Sequence, residues 1–245
     1  MMKQLLIIVV GLGLSGQAIA NDKVEFSSLS SDAYSSASQS VVQLLCHNTL
    51  NDTYFLSRAV VLDLPRHDLP FDILLTARHA VMDNDGTRQC HVRGQGPDGG
   101  QVSTIARSFE GAQFSQDFSN DWAVIQTAGR LSDDLVRARA VTYDGAENGD
   151  LSLVLKASEL TPCAITQAPE DFDTSTLIFH DCHTRPGMSG SPMMSMIGDQ
   201  PYVVGVHVGY LTMMNEDFRR YGVARRLNGD FLDALVKLTS DYSFK

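Results

Sequence analysis

The sequence is poor in positive charge and, beyond its first residues, has no long apolar stretch. Its 245 residues carry 19 Lys and Arg against 29 Asp and Glu, which gives a formal net charge of −10. This balance removes the electrostatic basis for binding nucleic acids or anionic lipids. With 43% hydrophobic and 20% charged residues, the composition is that of a globular protein. Disordered, collagenous, coiled-coil and multi-span membrane proteins are therefore excluded.

The first twenty residues have the features of an export signal. Lys3 provides a positive start, residues 5–14 are apolar, and Ala18-Ile19-Ala20 forms a small-residue cleavage site. The apolar run is too short to cross the ~30 Å core of a bilayer as a helix rising ~1.5 Å per residue. The sequence therefore predicts a signal peptide at residues 1–20 and a secreted or periplasmic protein without a membrane anchor after signal removal.

The remaining chain divides into a serine-rich lead-in and two β-rich units. Residues 21–40 are rich in serine without apolar periodicity, which predicts a flexible lead-in or a removable pro-segment and no core element. From Val41 onward, short β-type runs fall into two groups of six, with a crossover near residues 128–140. We expect two closed or sandwiched β units, at residues 41–135 and 136–245, the second ending in a helix.

Each predicted strand is a short apolar or alternating run between turn residues. The predicted strands are Val41–Cys46, Tyr54–Leu62, Phe71–Thr76, Gln89–Val92, Val102–Phe109, Trp122–Thr127, Leu151–Leu155, Cys163–Gln167, Ser175–Asp181, Pro192–Met196, Tyr202–Val208 and Tyr221–Ala224. The clearest helical pattern covers residues 228–239, where apolar residues recur at helical spacing and Asn228 or Asp230 can cap the start.

The four cysteines, Cys46, Cys90, Cys163 and Cys182, are an even number in a chain predicted to enter an oxidising compartment. No pair has the C-x-x-C spacing of a structural zinc site. Three pairings into two disulfides are possible. We favour Cys46–Cys90 and Cys163–Cys182, because each of these joins neighbouring predicted strands.

Three short segments carry the residue types of nucleophilic catalysis. His79 follows an apolar strand, Asp121 directly precedes one, and Ser189 lies in a Gly-x-Ser-Gly-Ser-Pro sequence between two strands. Alone, each has an ordinary explanation: a structural histidine, a strand-start residue and a glycine-rich turn. Together, in the order His, Asp, Ser, they indicate a catalytic triad divided between the two β units.

The chemistry requires these residue types. A serine hydroxyl is a poor nucleophile at neutral pH, so an imidazole must accept its proton as it attacks a carbonyl carbon. A carboxylate on the other ring nitrogen fixes the tautomer and stabilises the imidazolium. Glycine at 187 lets the backbone turn, so that the N–H groups of Gly187 and Ser189 can face the developing oxyanion.

These segments resemble the chymotrypsin-fold serine proteases, specifically the bacterial glutamyl endopeptidase branch with its Ser-Gly-Ser-Pro active-site sequence. The resemblance covers roughly residues 41–240. It implies an all-β fold of two six-stranded antiparallel β-barrels, with the active site in the cleft between them and a C-terminal helix. It also implies that His79 is the general base, Asp121 orients it, Ser189 is the nucleophile, and Gly187 with Ser189 forms the oxyanion hole.

Two features depart from the family pattern. The strand before the histidine strand often has a Gly-Ser or Gly-Thr pair in the family, whereas residues 56–60 here read Leu-Ser-Arg-Ala-Val. No Ile-Val-Gly-Gly-type sequence precedes Val41, so activation through a new N-terminus of that type is not indicated.

The resemblance extends to the residues that line the primary specificity pocket. Glutamyl endopeptidases place Thr or Ser five residues before the nucleophile and a histidine in a later strand, and Thr184 and His207 match these positions. His183 adds a second imidazole. An imidazole and a hydroxyl can donate hydrogen bonds to a substrate carboxylate, which predicts a preference for Glu before the cut. The alternatives are a structural His207 and a preference for small or apolar residues, and the negative net charge slows the approach of acidic substrates.

We expect a monomeric serine endopeptidase that acts on protein or peptide substrates and needs no cofactor. His180, Cys182 and His183 resemble a metal cluster, but neighbours on a strand point to opposite faces and Cys182 is expected in a disulfide, so we predict no metal. The alternative functions are an esterase-like or self-processing hydrolase on the same scaffold and a catalytically silent binding module.

Overall fold

The structure is a computed structural model that describes residues 26–63, 69–83, 86–96, 99–107, 118–143, 150–154, 161–169, 172, 174–213, 220–229 and 231–233. The predicted signal peptide lies outside these residues. The strands are β1 (Phe26–Ser27), β2 (Val41–Asn48), β3 (Thr53–Val61), β4 (Ile73–Thr76), β5 (Met82–Asp83), β6 (Gly86–Thr87), β7 (Gln89–Val92), β8 (Val102–Arg107), β9 (Ala123–Thr127), β10 (Arg139–Ala140), β11 (Asp150–Leu153), β12 (Thr161–Ala164), β13 (Leu177–His180), β14 (Pro192–Ile197), β15 (Gln200–Thr212) and β16 (Arg220–Arg226). The helices are α1 (Ser31–Ser38), α2 (Arg78–Val81) and a 3₁₀ helix at Phe118–Asn120.

The first six of the predicted strands form a closed antiparallel barrel in the order β2-β3-β4-β9-β8-β7. Side chains alternate between two faces along each strand because the strand repeat is two residues. One set fills the barrel interior and includes Val42, Leu44, Leu74 and Ile125. The alternate set, which includes Leu75, belongs to a cluster shared with the second β unit.

The other six predicted strands form the path β12-β11-β14-β15-β16-β13, with the two-residue strands β1 and β10 added to β14 and β15. The neighbours on this path are antiparallel. Its ends meet through an isolated bridge between Ile165 and His180 and through the Thr166 N–H, which donates to the Phe179 carbonyl at 2.8 Å. The all-β class and the two groups of six antiparallel strands are thus confirmed.

The two units pack together through the alternate residues of their strands. On β16, Ala224 points into the interior of the second unit, whereas Val223 joins the cluster between the units. That cluster also contains Leu75 and Val124 from the first barrel and Val206 from β15. The interface is therefore a continuous apolar layer.

The serine-rich segment differs from its prediction. Its β1 pairs with β14, and α1 begins after Ser30, whose hydroxyl accepts a hydrogen bond from the Ala33 N–H. Tyr34 and Ala37 of α1 are buried in the cluster between the units. The expectation that this segment contributes no core element is therefore wrong. A few apolar residues at helical spacing are enough to anchor a helix whose other side chains are mostly serine.

Both disulfides of the favoured pairing are present. Cys46 on β2 and Cys90 on β7 are direct cross-strand partners, and their sulfurs are bonded. Cys163 on β12 is bonded to Cys182, which follows β13. The second disulfide therefore joins the two ends of the six-strand path.

The C-terminal helix is described only at its start. The Asn228 side-chain oxygen accepts a hydrogen bond from the Phe231 N–H at 3.0 Å, so Asn228 is the N-cap. The Leu232 N–H donates to the Asn228 carbonyl at 3.1 Å. Residues 234–239 of the predicted helix lie outside the described residues. Among the described residues, no helix has the length and apolar character to cross a membrane.

Candidate active site

His79 stands on α2, a single helical turn that directly follows β4 of the first barrel. Arg88 holds the carbonyl end of this turn, since its Nη1 donates to the carbonyls of His79 at 2.5 Å and Ala80 at 3.1 Å. The Phe55 ring lies over the Arg88 guanidinium at 3.8 Å. The His79 side chain itself is 40% exposed, so its ring is available to a ligand.

Asp121 follows the 3₁₀ helix and precedes β9, the strand next to β4. Its two carboxylate oxygens contact the same histidine: Oδ1 accepts from the His79 backbone N–H at 2.8 Å, and Oδ2 accepts from His79 Nδ1 at 2.7 Å. This contact requires the proton on Nδ1 and leaves the Nε2 lone pair free to accept a proton. The pair therefore has the geometry of an oriented general base.

Ser189 lies in the turn that leads into β14 of the second unit. The turn is closed by hydrogen bonds from the Met188 N–H to the Arg185 carbonyl at 3.2 Å and from the Ser191 N–H to the Met188 carbonyl at 3.0 Å. Gly187 and Gly190 have φ angles of 89° and 86°, which side chains disfavour. Glycine is thus required on both sides of the serine.

The turn packs tightly against the first barrel. A Cβ atom at Gly190 would lie 1.9 Å from the Arg58 carbonyl oxygen and 2.3 Å from Thr76 Oγ1. The Arg58 N–H donates to the Ser189 carbonyl at 2.9 Å, and Thr76 Oγ1 donates to the Arg58 carbonyl at 2.6 Å. Because Thr76 precedes His79 by three residues, Ser189 is held beside the segment that carries the histidine. The hydrogen bonds of the described residues do not include one between the Ser189 hydroxyl and His79.

Two backbone N–H groups of the turn are available to a ligand. The Met188, Gly190 and Ser191 N–H groups each donate to a carbonyl, Gly190 to that of His207 at 2.8 Å. Among the described residues, the N–H groups of Gly187 and Ser189 donate to no protein acceptor. These are the two donors that the sequence assigns to an oxyanion hole, and they alternate with amides that hold the turn in shape.

The predicted specificity residues lie in different surroundings. Thr184 and His207 are buried, whereas His183 is exposed. His207 lies on β15, and its backbone N–H donates to the Ser191 carbonyl at 2.8 Å. Burial lowers the pKa of His207 well below 6.5, and the nearby His180 and His79 lower it further. The His207 ring is therefore neutral at neutral pH and lies close enough to His79 to sense its charge.

His180, which the sequence analysis considered only as a metal ligand, contacts the ring of His207. Its Nδ1 accepts from the Cys182 N–H at 3.2 Å, so its Nε2 carries the proton and donates to His207 Nδ1 at 3.2 Å. His207 consequently carries its own proton on Nε2. Burial lowers the pKa of His180 to about 3. Gly222 makes room for this ring, because a Cβ there would lie 2.1 Å from His180 Cε1.

The ligand atoms of Cys163, His180 and Cys182 lie within 4.8 Å of one another. The two sulfurs are bonded to each other, and a disulfide offers no thiolate to a metal. The residues present therefore do not fit a metal site.

Comparison with known proteins places the chain by its fold. No model of a known protein family matches the sequence, and no curated protein matches it. A Glu endopeptidase solved in complex with MPD matches with a TM-score of 0.61 at 13% identity, covering 86% of this chain and 95% of its own. A thermostable serine protease, AL20, from an extremophilic microorganism matches with a TM-score of 0.62 at 13% identity, covering 86% and 100%.

The active form of the Rv3671c protease from M. tuberculosis matches with a TM-score of 0.56 at 14% identity, covering 90% of this chain and 92% of its own. All three are similar to this chain over nearly their whole length. The chain therefore has the chymotrypsin fold, as the resemblance implied.

Proposed function

We propose that this protein is a serine endopeptidase that hydrolyses peptide bonds through an acyl-enzyme on Ser189. The observation that carries the proposal is that an oriented histidine and a serine-bearing turn from the two β units lie against each other. The first barrel supplies His79, oriented by both oxygens of Asp121. The second supplies Ser189 in a turn fixed to the first barrel, with two N–H groups without a protein acceptor among the described residues.

The proposed reaction has two halves. The Ser189 hydroxyl attacks the peptide carbonyl while His79 Nε2 takes its proton, and the Gly187 and Ser189 N–H groups stabilise the oxyanion. When the C–N bond breaks, the imidazolium returns that proton to the leaving amine and the acyl-enzyme remains. Water, deprotonated by His79, then attacks the ester and restores Ser189. Asp121 remains ionised and stabilises the imidazolium in both halves.

The finer proposal is a preference for Glu before the cut. It is supported by two buried polar side chains, Thr184 and His207, at the positions that the glutamyl branch uses. It is also supported by the His207 Nε2–H, which can donate a hydrogen bond to a substrate carboxylate. The opposing observation is that the His207 ring interacts favourably with the Val223 carbonyl, as a structural histidine would.

The local charge near the site favours an acidic substrate more than the net charge does. Burial lowers the pKa of Arg58, and the nearby positive charge of Arg185 lowers it further. Arg58 is next to the Ser189 carbonyl, and Arg185 begins the turn. The guanidinium groups of these two residues, one in the turn and one on the strand that contacts it, offset part of the repulsion that the protein's negative charge exerts on a carboxylate.

Export is part of the proposal. It is supported by the predicted signal peptide and by the two disulfides, which persist in oxidising compartments. We place the protein outside the cell or in the periplasm, acting there on protein or peptide substrates as a monomer.

Cleavage of a peptide library by the purified protein and by Ser189→Ala tests the proposal. The wild type is expected to cut peptides, and the variant is expected to lose this activity while remaining folded. A silent binding module would cut nothing, and an esterase-like hydrolase would cut ester but not peptide substrates. Equal hydrolysis by both proteins would exclude Ser189 as the nucleophile.

The Glu preference is tested with matched peptides that carry Glu, Gln or Leu before the cut. His207→Ala is expected to lower kcat/KM for Glu by roughly 30- to 150-fold, equivalent to about 2–3 kcal/mol for a lost hydrogen bond to a charge. The Gln and Leu peptides are expected to lose much less. Equal losses on all three peptides would mean that His207 has a structural role only.

A further inference from the structure

Arg225 reaches from the second β unit to the segment that carries Asp121. It lies on β16 and shares a strand face with Val223, which belongs to the cluster between the barrels. The Arg225 residue is only 6% exposed. Its Nε donates to the Ser119 carbonyl at 2.6 Å, and its Nη1 donates to the carbonyls of Thr176, at 3.1 Å, and Arg226.

Ser119 precedes Asp121 by two residues in the 3₁₀ helix, which is closed by the Asp121 N–H donating to the Phe118 carbonyl at 3.3 Å. The Ser119 hydroxyl forms a second tie, a 2.9 Å hydrogen bond with Thr176 Oγ1. On the other side of Asp121, Trp122 packs edge-on against Phe231 with ring centroids 4.5 Å apart. Residues on both sides of Asp121 are therefore held by the opposite unit.

We infer that Arg225 is a positioning residue that sets Asp121 against His79 from the opposite barrel. The inference rests on the proposed function, in which Asp121 orients His79. Both Asp121 oxygens must remain within hydrogen-bond distance of two different His79 nitrogens, which leaves little tolerance for movement of the 3₁₀ helix. A guanidinium has a rigid fork of donors, and charge-assisted hydrogen bonds are about twice as strong as neutral ones.

The inference couples barrel docking to catalysis. Asp121 and His79 both belong to the first barrel, yet the turn before Asp121 takes its hydrogen bonds from β16 and from the residue before β13. When the barrels separate, the 3₁₀ helix loses Arg225 and Thr176 together. The oriented general base then depends on the same interface that brings Ser189 to it.

Arg225→Lys tests the inference, because lysine keeps the charge but has no fork. We expect kcat to fall about tenfold or more with KM little changed, because a small displacement of a catalytic group lowers the rate of the chemical step. The acidic limb of the kcat/KM profile is expected to move to lower pH, because a displaced Asp121 stabilises the imidazolium less. Arg88, whose guanidinium contacts the His79 carbonyl, and the neutral but titratable ring of His207 also lie near His79, and the substitution alters neither.

A readout that needs no substrate is the NMR signal of the His79 Nδ1–H, which the 2.7 Å contact with Asp121 protects from exchange with water. This proton is expected to exchange faster in Arg225→Lys. Arg226→Lys is the matched control: Arg226 is the next residue on the strand, and its Nη1 donates to the Tyr143 carbonyl at 3.2 Å, away from the 3₁₀ helix. It is expected to leave both the profile and the exchange rate unchanged.

Thr176→Val provides a second variant in case Arg225→Lys does not fold. It removes the hydroxyl contact with Ser119 and is expected to change the same readouts in the same direction by a smaller amount. Wild-type kcat and exchange in a folded Arg225→Lys, or equal changes in Arg225→Lys and Arg226→Lys, would overturn the inference. If the wild type cuts no peptide but the exchange differs as expected, the positioning role stands and the proposed function fails.

Discussion

Acidification is expected to destabilise the fold through the buried pair His180 and His207. Burial lowers the folded-state pKa of His180 to about 3 and that of His207 well below 6.5. In the unfolded chain both rings titrate near the ordinary value of about 6.5. Between these values the unfolded state binds protons that the folded state does not, so the free energy of unfolding rises with pH. The stability is fully present above pH 6.5 and is lost as the pH falls below it.

The magnitude for His180 follows from its pKa. Well below 6.5 and above the folded pKa, each pH unit costs about 1.4 kcal/mol per histidine, and near pH 6.5 the slope is half as steep, so acidification from pH 6.5 to 4.5 costs about 2 kcal/mol through His180 alone. This is a substantial part of the roughly 5–15 kcal/mol that stabilises a typical domain. A proton that charges His207 on Nδ1 also breaks its hydrogen bond with His180, and a proton that charges His180 on Nδ1 breaks the one from the Cys182 N–H.

The assay is urea unfolding at several pH values, in a Ser189→Ala background that prevents self-digestion. The comparison is with His180→Gln, which cannot titrate, so carboxylates contribute equally to both slopes. The wild type is expected to lose about 2 kcal/mol more than His180→Gln between pH 6.5 and 4.5. His91→Gln, on β7 of the first barrel, is the control for replacing a histidine outside the buried pair. Parallel slopes for wild type and His180→Gln would refute the reasoning.

Three further changes are expected to act through specific contacts. Gly190→Ala should destabilise the protein by about 3 kcal/mol or more and abolish hydrolysis, as measured by thermal unfolding and peptide cleavage. The φ angle of Gly190 is 86°, and a Cβ atom there would lie 1.9 Å from a backbone oxygen of β3. Asp72→Asn should lower the free energy of unfolding in urea by about 3–5 kcal/mol. The buried Asp72 carboxylate accepts a hydrogen bond from Arg137 Nε at 2.8 Å, and the substitution leaves the Arg137 guanidinium without that negative partner. A cost below about 1 kcal/mol would contradict this. Replacing Cys46 and Cys90 with alanine removes a disulfide between residues 44 positions apart. In the loop-entropy description this should lower the free energy of unfolding in urea by about 4 kcal/mol relative to the wild type. Equal unfolding midpoints would show that the disulfide does not constrain the unfolded chain.

Much of the fold follows from local patterns in the sequence. Each of the twelve predicted strands has a counterpart among the described residues, although residues 108–109 and 155 of two predictions lie outside them. Strands with one buried face show alternation at a period of two, and strands buried on both faces, such as β4 and β9, show short apolar runs. The predicted strand Gln89–Val92 has the same first and last residues as β7, whereas β15 is longer than its prediction and covers Gln200–Thr212. The error at α1 has the opposite cause: its serine-rich sequence hides the few apolar side chains that anchor it.

The site was only partly visible in the sequence, for a physical reason. His79, Asp121 and Gly187–Ser189 each stand at the end of a strand or in a glycine turn, so a local pattern marks them. Arg225 contacts a carbonyl 106 residues away in the sequence, and no local pattern marks such a contact. The same holds for His180, because its contact with His207 joins β13 and β15, which are not neighbours in the sheet.

Covalent labelling by a fluorophosphonate probe tests the central claim most directly, since such a probe reacts with a serine only when a base and an oxyanion hole activate it. The account predicts that mass spectrometry of the labelled wild type finds the added group on Ser189. It also predicts that Ser189→Ala takes up no label and that Asp121→Asn reacts far more slowly. A wild type that remains unlabelled, or one that carries the label on Ser191, would contradict the account.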